Sequence, residues 1–218
     1  MDTGIKNMKP PYKLSVGSLY ICFATDIDSG VYDSQIYKLD TVKKVGVTEN
    51  GSSTPVYASG KKYDTVNSSS GTELAVDQIA FPDELVAKMR GETVSSKYGS
   101  VKSGASNERP YFMAGYVEEK SNGVKKFVQY PKCQLTENTN DIETKEDTYK
   151  EQSDTYTFSS SAFDSEGNDK FTIQTDNEKF PEGLTEELFF SKVIRSDDDI
   201  DSLITEPENL DQEQEEGQ

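Results

Sequence analysis

Three stretches of the chain collect side chains able to hold a cation or move a proton: Asp26-Ile27-Asp28-Ser29-Gly30, Asp164-Ser165-Glu166-Gly167-Asn168-Asp169 and Asp197-Asp198-Asp199-Ile200-Asp201. Carboxylates spaced along a turn are what a calcium loop needs, but neither of the first two has the twelve-residue spacing that ends in a bidentate Glu. Asx-turn chemistry accounts for both. The third reads as a solvated charge run. There is no His anywhere, which removes the usual general base near neutral pH and the commonest metal ligand. Cys22 and Cys133 both sit in apolar runs, where a reduced, buried thiol is expected rather than a nucleophile or a disulfide. No phosphate-cradling Gly loop, nucleophile triad or CxxC pair occurs. No catalytic residue, metal or cofactor is expected.

Charge points the same way. Of a formal net charge of −17 over 218 residues, about half lies beyond Ile194, where ten acidic residues face a single basic one. Lys43-Lys44, Lys61-Lys62 and Lys125-Lys126 are too scattered to form a stripe, and nucleic-acid affinity depends on clustered Lys and Arg releasing condensed counterions. The first twenty residues lack an apolar run of signal-peptide length, and no segment has the length of a membrane span. The expectation is an intracellular origin with no membrane contact.

The elements that would carry these residues are mostly strands. Residues 1–12 read as an extended arm and 13–194 as one domain. Leu14 to Thr25 predicts a strand buried on both faces, with Leu19, Ile21 and Phe23 on one and Tyr20 and Cys22 on the other. A weaker strand follows from about Gln35 to Val47. Residues 48–71, rich in Gly, Ser, Thr and Asn, read as a long inter-strand loop with apolar handles at Pro55, Val56, Tyr57 and Tyr63.

Thr72 to Ile79 alternates, Leu74 and Val76 against Glu73, Ala75 and Asp77. A helix then runs from Phe81 to Gly91, with Pro82 at its start, acidic residues in its first turn, Lys88 and Arg90 in its last, and Gly91 as its stop. Phe81, Leu85 and Met89 should pack on the sheet. Residues 93–108 read as loop, and Tyr111 to Tyr130 as a hairpin turning on Asn122-Gly123, whose second strand runs on toward Ile142.

A strand around Ser153 to Phe163 and a last hairpin over Glu166-Gly167-Asn168 into Phe171-Thr172-Ile173 come next. Thr185 to Ile194 predicts a short helix burying Leu188, Phe189 and Val193. Residues 195–218 read as a disordered acidic tail. The fold class read from these elements is mainly β (α+β), with one α-helix and a short C-terminal helix.

The order of these parts, a strand ending in Phe-Pro-x-Glu-Leu, a Gly-stopped helix, an Arg-Pro-Tyr-Phe hairpin with Ser-Asn-Gly, then Glu-Thr-Lys-Glu-Asp and a Tyr-Thr-Phe strand, resembles the major tail (tail tube) proteins of long-tailed, siphovirus-type phages of Gram-positive hosts and their prophages. The resemblance spans Lys13 to Val193 and is most specific at Phe81 to Gly91, Arg109 to Tyr130 and Glu143 to Asp147. It implies an antiparallel β-sandwich or barrel-like tail tube fold with one flanking α-helix, in a structural virion protein whose homo-hexameric rings stack into the tail tube, a non-adhesive conduit for double-stranded DNA delivery into the host. The implied partners are further copies of itself, a tape measure protein, and tail initiator and terminator proteins. The implied location is the virion tail, after a stay in the host cytoplasm.

On that reading, strands near 41–49, 72–79, 132–142 and 153–162 line the bore. Alternation turns Glu73, Asp77, Gln134, Thr136, Thr155 and Thr157 into it, none of them basic, while the 48–71 loop reaches between rings. A tail completion or head-tail joining ring protein is the alternative. A secreted carbohydrate-binding β-sandwich is less favoured, since it would present exposed aromatics and the chain has no Trp.

Overall fold

The computed structural model describes residues 10–102, 104, 107–139 and 153–205. In chain order they form β1 (Lys13–Asp26), β2 (Val31–Leu39), β3 (Val42–Ala58), β4 (Lys61–Gln78), α1 (Asp83–Met89), a small hairpin of β5 (Thr93–Val94) and β6 (Val101–Lys102), β7 (Phe112–Lys120), β8 (Lys125–Thr139), β9 (Asp154–Ser160), β10 (Phe171–Gln174), α2 (Glu186–Phe189) and α3 (Asp197–Thr205). Seven strands run side by side as β2-β1-β7-β8-β9-β4-β3, and β10 makes the eighth by pairing with β8. Every pairing is antiparallel. The sheet curls without closing into a barrel, so β1 and β4, with three strands between them, contribute to one core capped by α1.

That core contains Leu19, Ile21 and Phe23 from β1, Leu74 and Val76 from β4, Phe112 and Ala114 from β7, Leu135 from β8, and Tyr156 and Phe158 from β9. Phe112 and Phe158 meet edge to face at 5.1 Å, and each fully buried large apolar side chain contributes about 1.5–3 kcal/mol. Phe81, Leu85 and Met89 are all buried in it, with Phe81 against Tyr156 at 4.1 Å between ring centroids. Helix α1 ends in a Schellman arrangement: Glu92 N–H donates to Ala87 O at 2.9 Å and Gly91 N–H to Lys88 O at 3.0 Å. Gly91 has φ +66, and a Cβ there would lie 2.1 Å from Glu108 O.

A second cluster covers the opposite face of β1 and β7: Tyr20, Cys22, Met113, Val117 and Phe127 pack under Leu184, Phe189, Phe190, Val193, Ile194 and Ile200. Phe190 stacks on Tyr20 at 4.0 Å and lies over Gly115, where a Cβ would come within 2.6 Å of its ring. Gln129, fully buried, ties the same segment down by donating to Phe189 O and Lys192 O and accepting from Ile194 N–H.

Six sequence expectations change, the first at 93–108, where the expected loop carries the β5–β6 hairpin. The 48–71 loop is not a loop: β3 and β4 continue as one long hairpin, in register from Val42↔Gln78 to Ala58↔Lys61, turning on Ser59 (φ 52) and Gly60 (φ 74). Its backbone ladder needs no apolar face, which is why Gly, Ser and Thr can form it. The weak strand from Gln35 is two strands, split at Asp40-Thr41. Phe171-Thr172-Ile173 pairs with β8 rather than folding back on β9. The helix predicted from Thr185 spans only Glu186–Phe189, and Leu188 is half-buried while Phe190 and Ile194 take core positions.

The sixth change is at the acidic end, where residues 197–205 form α3. Asp199 accepts from the backbone N–H of Ser196 and Arg195 at 3.1 and 2.9 Å, the carboxylate half of a capping box, and Ile200 is buried. The expectations for residues 1–9, for the run-on of β8 to Ile142, for Glu143–Asp147 and for 206–218 fall outside the described residues.

Candidate assembly surface

Beyond Cys133, β8 leaves β7 and pairs only with β9, so the far half of β8, with β9, β4 and the root of β3, makes a four-stranded sheet. One face is the apolar core. On the other, side chains fall in rows set by register. Lys44 pairs with Asp77, Asp77 with Thr155 and Thr155 with Thr139; Gly46, Ala75, Thr157 and Glu137 form the next row; Thr48, Glu73, Ser159 and Gln134 the third. Thr155 Oγ1 donates to Asp77 Oδ1 at 2.7 Å. Five of the six residues singled out from sequence, Glu73, Asp77, Thr155, Thr157 and Gln134, thus occupy one polar surface.

Two details differ from strict alternation. A bulge between Leu135 and Glu137 makes Glu137, not Thr136, the register partner of Thr157. Thr136 is exposed, and its hydroxyl turns back to Thr157 O at 3.0 Å. Another bulge, between Val42 and Lys44, puts Lys44 opposite Asp77, so the face carries a cation that sequence reading left out. No local residue pattern announces a bulge, so neither shift was legible.

At the bulge, Gln134 Nε2 donates to Arg109 O at 2.6 Å, and Arg109 Nη1 donates to Leu135 O at 2.6 Å and Thr136 O at 2.7 Å. In the strand order of the described residues, β3 is the last strand of this four-stranded unit at one side, and β8 past Cys133 pairs with β9 and not with β7 at the other.

The hairpin leaves the body at Asn50↔Gly71. From Gly51 to Ala58 and from Lys61 to Asp64 every residue is exposed, including Pro55, Val56, Tyr57 (67 %) and Tyr63 (79 %). Lys170 pairs with Glu49 at its root, and that hydrogen bond holds the Glu49 carboxyl below its usual range.

The three carboxylate stretches are local. Asp26 accepts from the N–H of Asp28 and Ser29, both at 3.1 Å, and Asp164 from the N–H of Glu166 and Asn168 at 3.0 and 2.9 Å. Burial pushes the Cys22 thiol up to about 11 and the Cys133 thiol to about 12. Neither is poised as a nucleophile.

A family model described as phage tail tube protein matches residues 24–195. No curated protein sequence matches the chain. Among solved structures, the tube-terminating cap of the anti-feeding prophage aligns with TM-score 0.44 and 7% identity over 79% of this chain and 99% of that one. The six-fold symmetrised baseplate of the same particle aligns with TM-score 0.41 and 8% identity over 76% and 97%.

Proposed function

Because this chain belongs to the phage tail tube protein family and is a structural protein of the phage tail, we propose that its copies close into homo-hexameric rings that stack into the tail tube. The polar face of β8, β9, β4 and β3 turns to the bore. The observation that carries this reading is a four-stranded unit with a polar outer face, bounded among the described strands by β3 on one side and by β8 past Cys133 on the other. Unpaired edges recruit strands, and a head-to-tail contact that repeats by rotation closes into a ring.

Strand direction adds a constraint. Along β8, β9, β4 and β3 the strands alternate, and four is even, so rotating the unit about the bore sets the β3 edge of one copy against the β8 edge of the next in antiparallel sense. Six copies give roughly 24 strands; at ~4.8 Å spacing and a tilt of about 40°, the backbone wall lies about 24 Å from the axis. Rings of half that number approach the size that side chains fill.

The wall then offers DNA the Glu73, Asp77 and Glu137 carboxylates and the hydroxyls of Thr155 and Thr157, with Lys44 beside Asp77. Such a surface has little means of releasing DNA counterions, which suits a conduit for duplex DNA and a tape measure protein. The hairpin arm reaches the adjacent ring, and initiator and terminator proteins bound the ends. The role is structural, without enzymatic activity, and assembly draws on subunits in the host cytoplasm.

Negative-stain electron microscopy of concentrated protein tests this. Long hollow tubes are expected. Isolated single rings would favour a head-tail joining role, and monomers at every concentration would end the proposal.

A further inference from the structure

We propose that Arg109 sheathes the edge through which the ring closes, holding it shut in the free subunit until the β3 edge of a second copy displaces it. The inference rests on the ring reading above and adds a residue that controls the seam.

Strand β7 stops covering β8 at Phe112↔Cys133. Two residues further on, where the open edge begins, one guanidinium nitrogen of Arg109 donates to two successive β8 carbonyls, Leu135 O at 2.6 Å and Thr136 O at 2.7 Å. The bulge between Leu135 and Glu137 brings both carbonyls within reach of one donor. A strand adding to this edge would need those same acceptors.

Anchoring the loop does not require the guanidinium there. The backbone of residue 109 is already held by Gln134 Nε2 at 2.6 Å, and Tyr111 O accepts from Ala24 N–H at 2.9 Å. A cation on an edge is a known way to stop unguided strand addition. The occupant that fits is β3 of a second copy: it is the terminal strand in the order of the described strands, strand parity makes the pairing antiparallel, and its root carries Lys44 while the β8 edge carries Glu137. An incoming cationic strand is thus attracted by Glu137 and resisted by Arg109.

The test uses dilute monomer and a fluorescent peptide of residues 42–50, followed by anisotropy, beside the lag time of tube growth at high concentration. Arg109→Ala and Arg109→Gln should bind the peptide roughly tenfold more tightly than wild type, as expected for removing a charged hydrogen-bonded competitor, and should shorten the lag. Arg109→Lys, which restores a cationic donor, should return toward wild type.

Peptide binding equal to or weaker than wild type in the neutral variants overturns the proposal, as does unfolding of both, which would make Arg109 a structural tie. Wild-type tubes with an unchanged variant lag also sink the sheath while sparing the tube. Tighter peptide binding with no wild-type tubes at any concentration sinks the tube and leaves a guarded self-association edge.

Discussion

Strands β1 and β4 belong to one sheet and differ by four residues in length, yet they meet water in opposite ways. From Leu19 to Phe23, β1 is buried at every residue, one face in the core under α1 and the other beneath the C-terminal segment. In the body, β4 alternates, with Thr72, Leu74, Val76 and Gln78 buried and Glu73 exposed; in the arm, Lys61 to Asp64 are exposed on both faces. All three regimes share an antiparallel backbone ladder. What differs is how much apolar surface each commits to the fold itself, so the sheet grades from core to exposed surface along its own strands.

The sharpest break of this comparison is a pair of adjacent substitutions on β9. Phe158→Ala should cost about 3–5 kcal/mol in urea unfolding, because it empties a fully buried site against Phe112. Thr157→Ala, one residue away on the polar face, should stay within about 0.5 kcal/mol. Comparable losses would mean the polar face is part of the fold's own core. Next in size is the arm. Replacing residues 51–70 by a two-residue turn joins Asn50 to its register partner Gly71; the melting temperature should hold within a few degrees while tube formation disappears. Normal tubes would remove the arm from assembly.

A smaller effect sharpens the face itself. Asp77→Lys with Thr157→Lys removes the Thr155 hydrogen bond, worth about 1 kcal/mol, and should leave tubes intact. Those tubes should retain labelled duplex DNA in low salt where wild-type tubes do not. Equal retention by both would show that the wall's charge is irrelevant to passage.

How far the sequence carried depended on whether burial leaves a period. β1 was legible because both faces are covered, and the polar face because one is. Helix α1 was legible from Pro82, its charges and Gly91. The arm was not, since a ladder wet on both sides has no hydrophobic period and Gly-Ser-Thr composition reads as loop. Helix α3 was overshadowed by its charge, although Ser196 and Asp199 at capping-box spacing, with Ile200, Leu203 and Ile204 on one stripe, were there to be read. Lys44, Glu137 and Arg109 came from bulges and tertiary contact.

The smallest expected effect separates α3 from β1 by pH. Partial burial pushes the Asp199 carboxyl up, but hydrogen bonds from Lys192 and from the N–H of Arg195 and the Ser196 hydroxyl outweigh it and hold the pKa below the ordinary 3.8. A carboxyl depressed in the folded state stabilises above its unfolded value, so the contribution is complete above about pH 4–5 and fades as the pH falls through the depressed value. The α3 amides should then lose hydrogen-exchange protection in acid before the β1 amides do. Cys22 carries the opposite sign. Burial, aided by the charge of Asp33, raises its thiol from 9.0 to about 11, so its contribution is complete below pH 9.0 and lost as the pH rises through about 11. Acid should therefore loosen the peripheral helix first, and alkali the doubly buried strand; simultaneous loss of both in acid would show that α3 and β1 open as one unit.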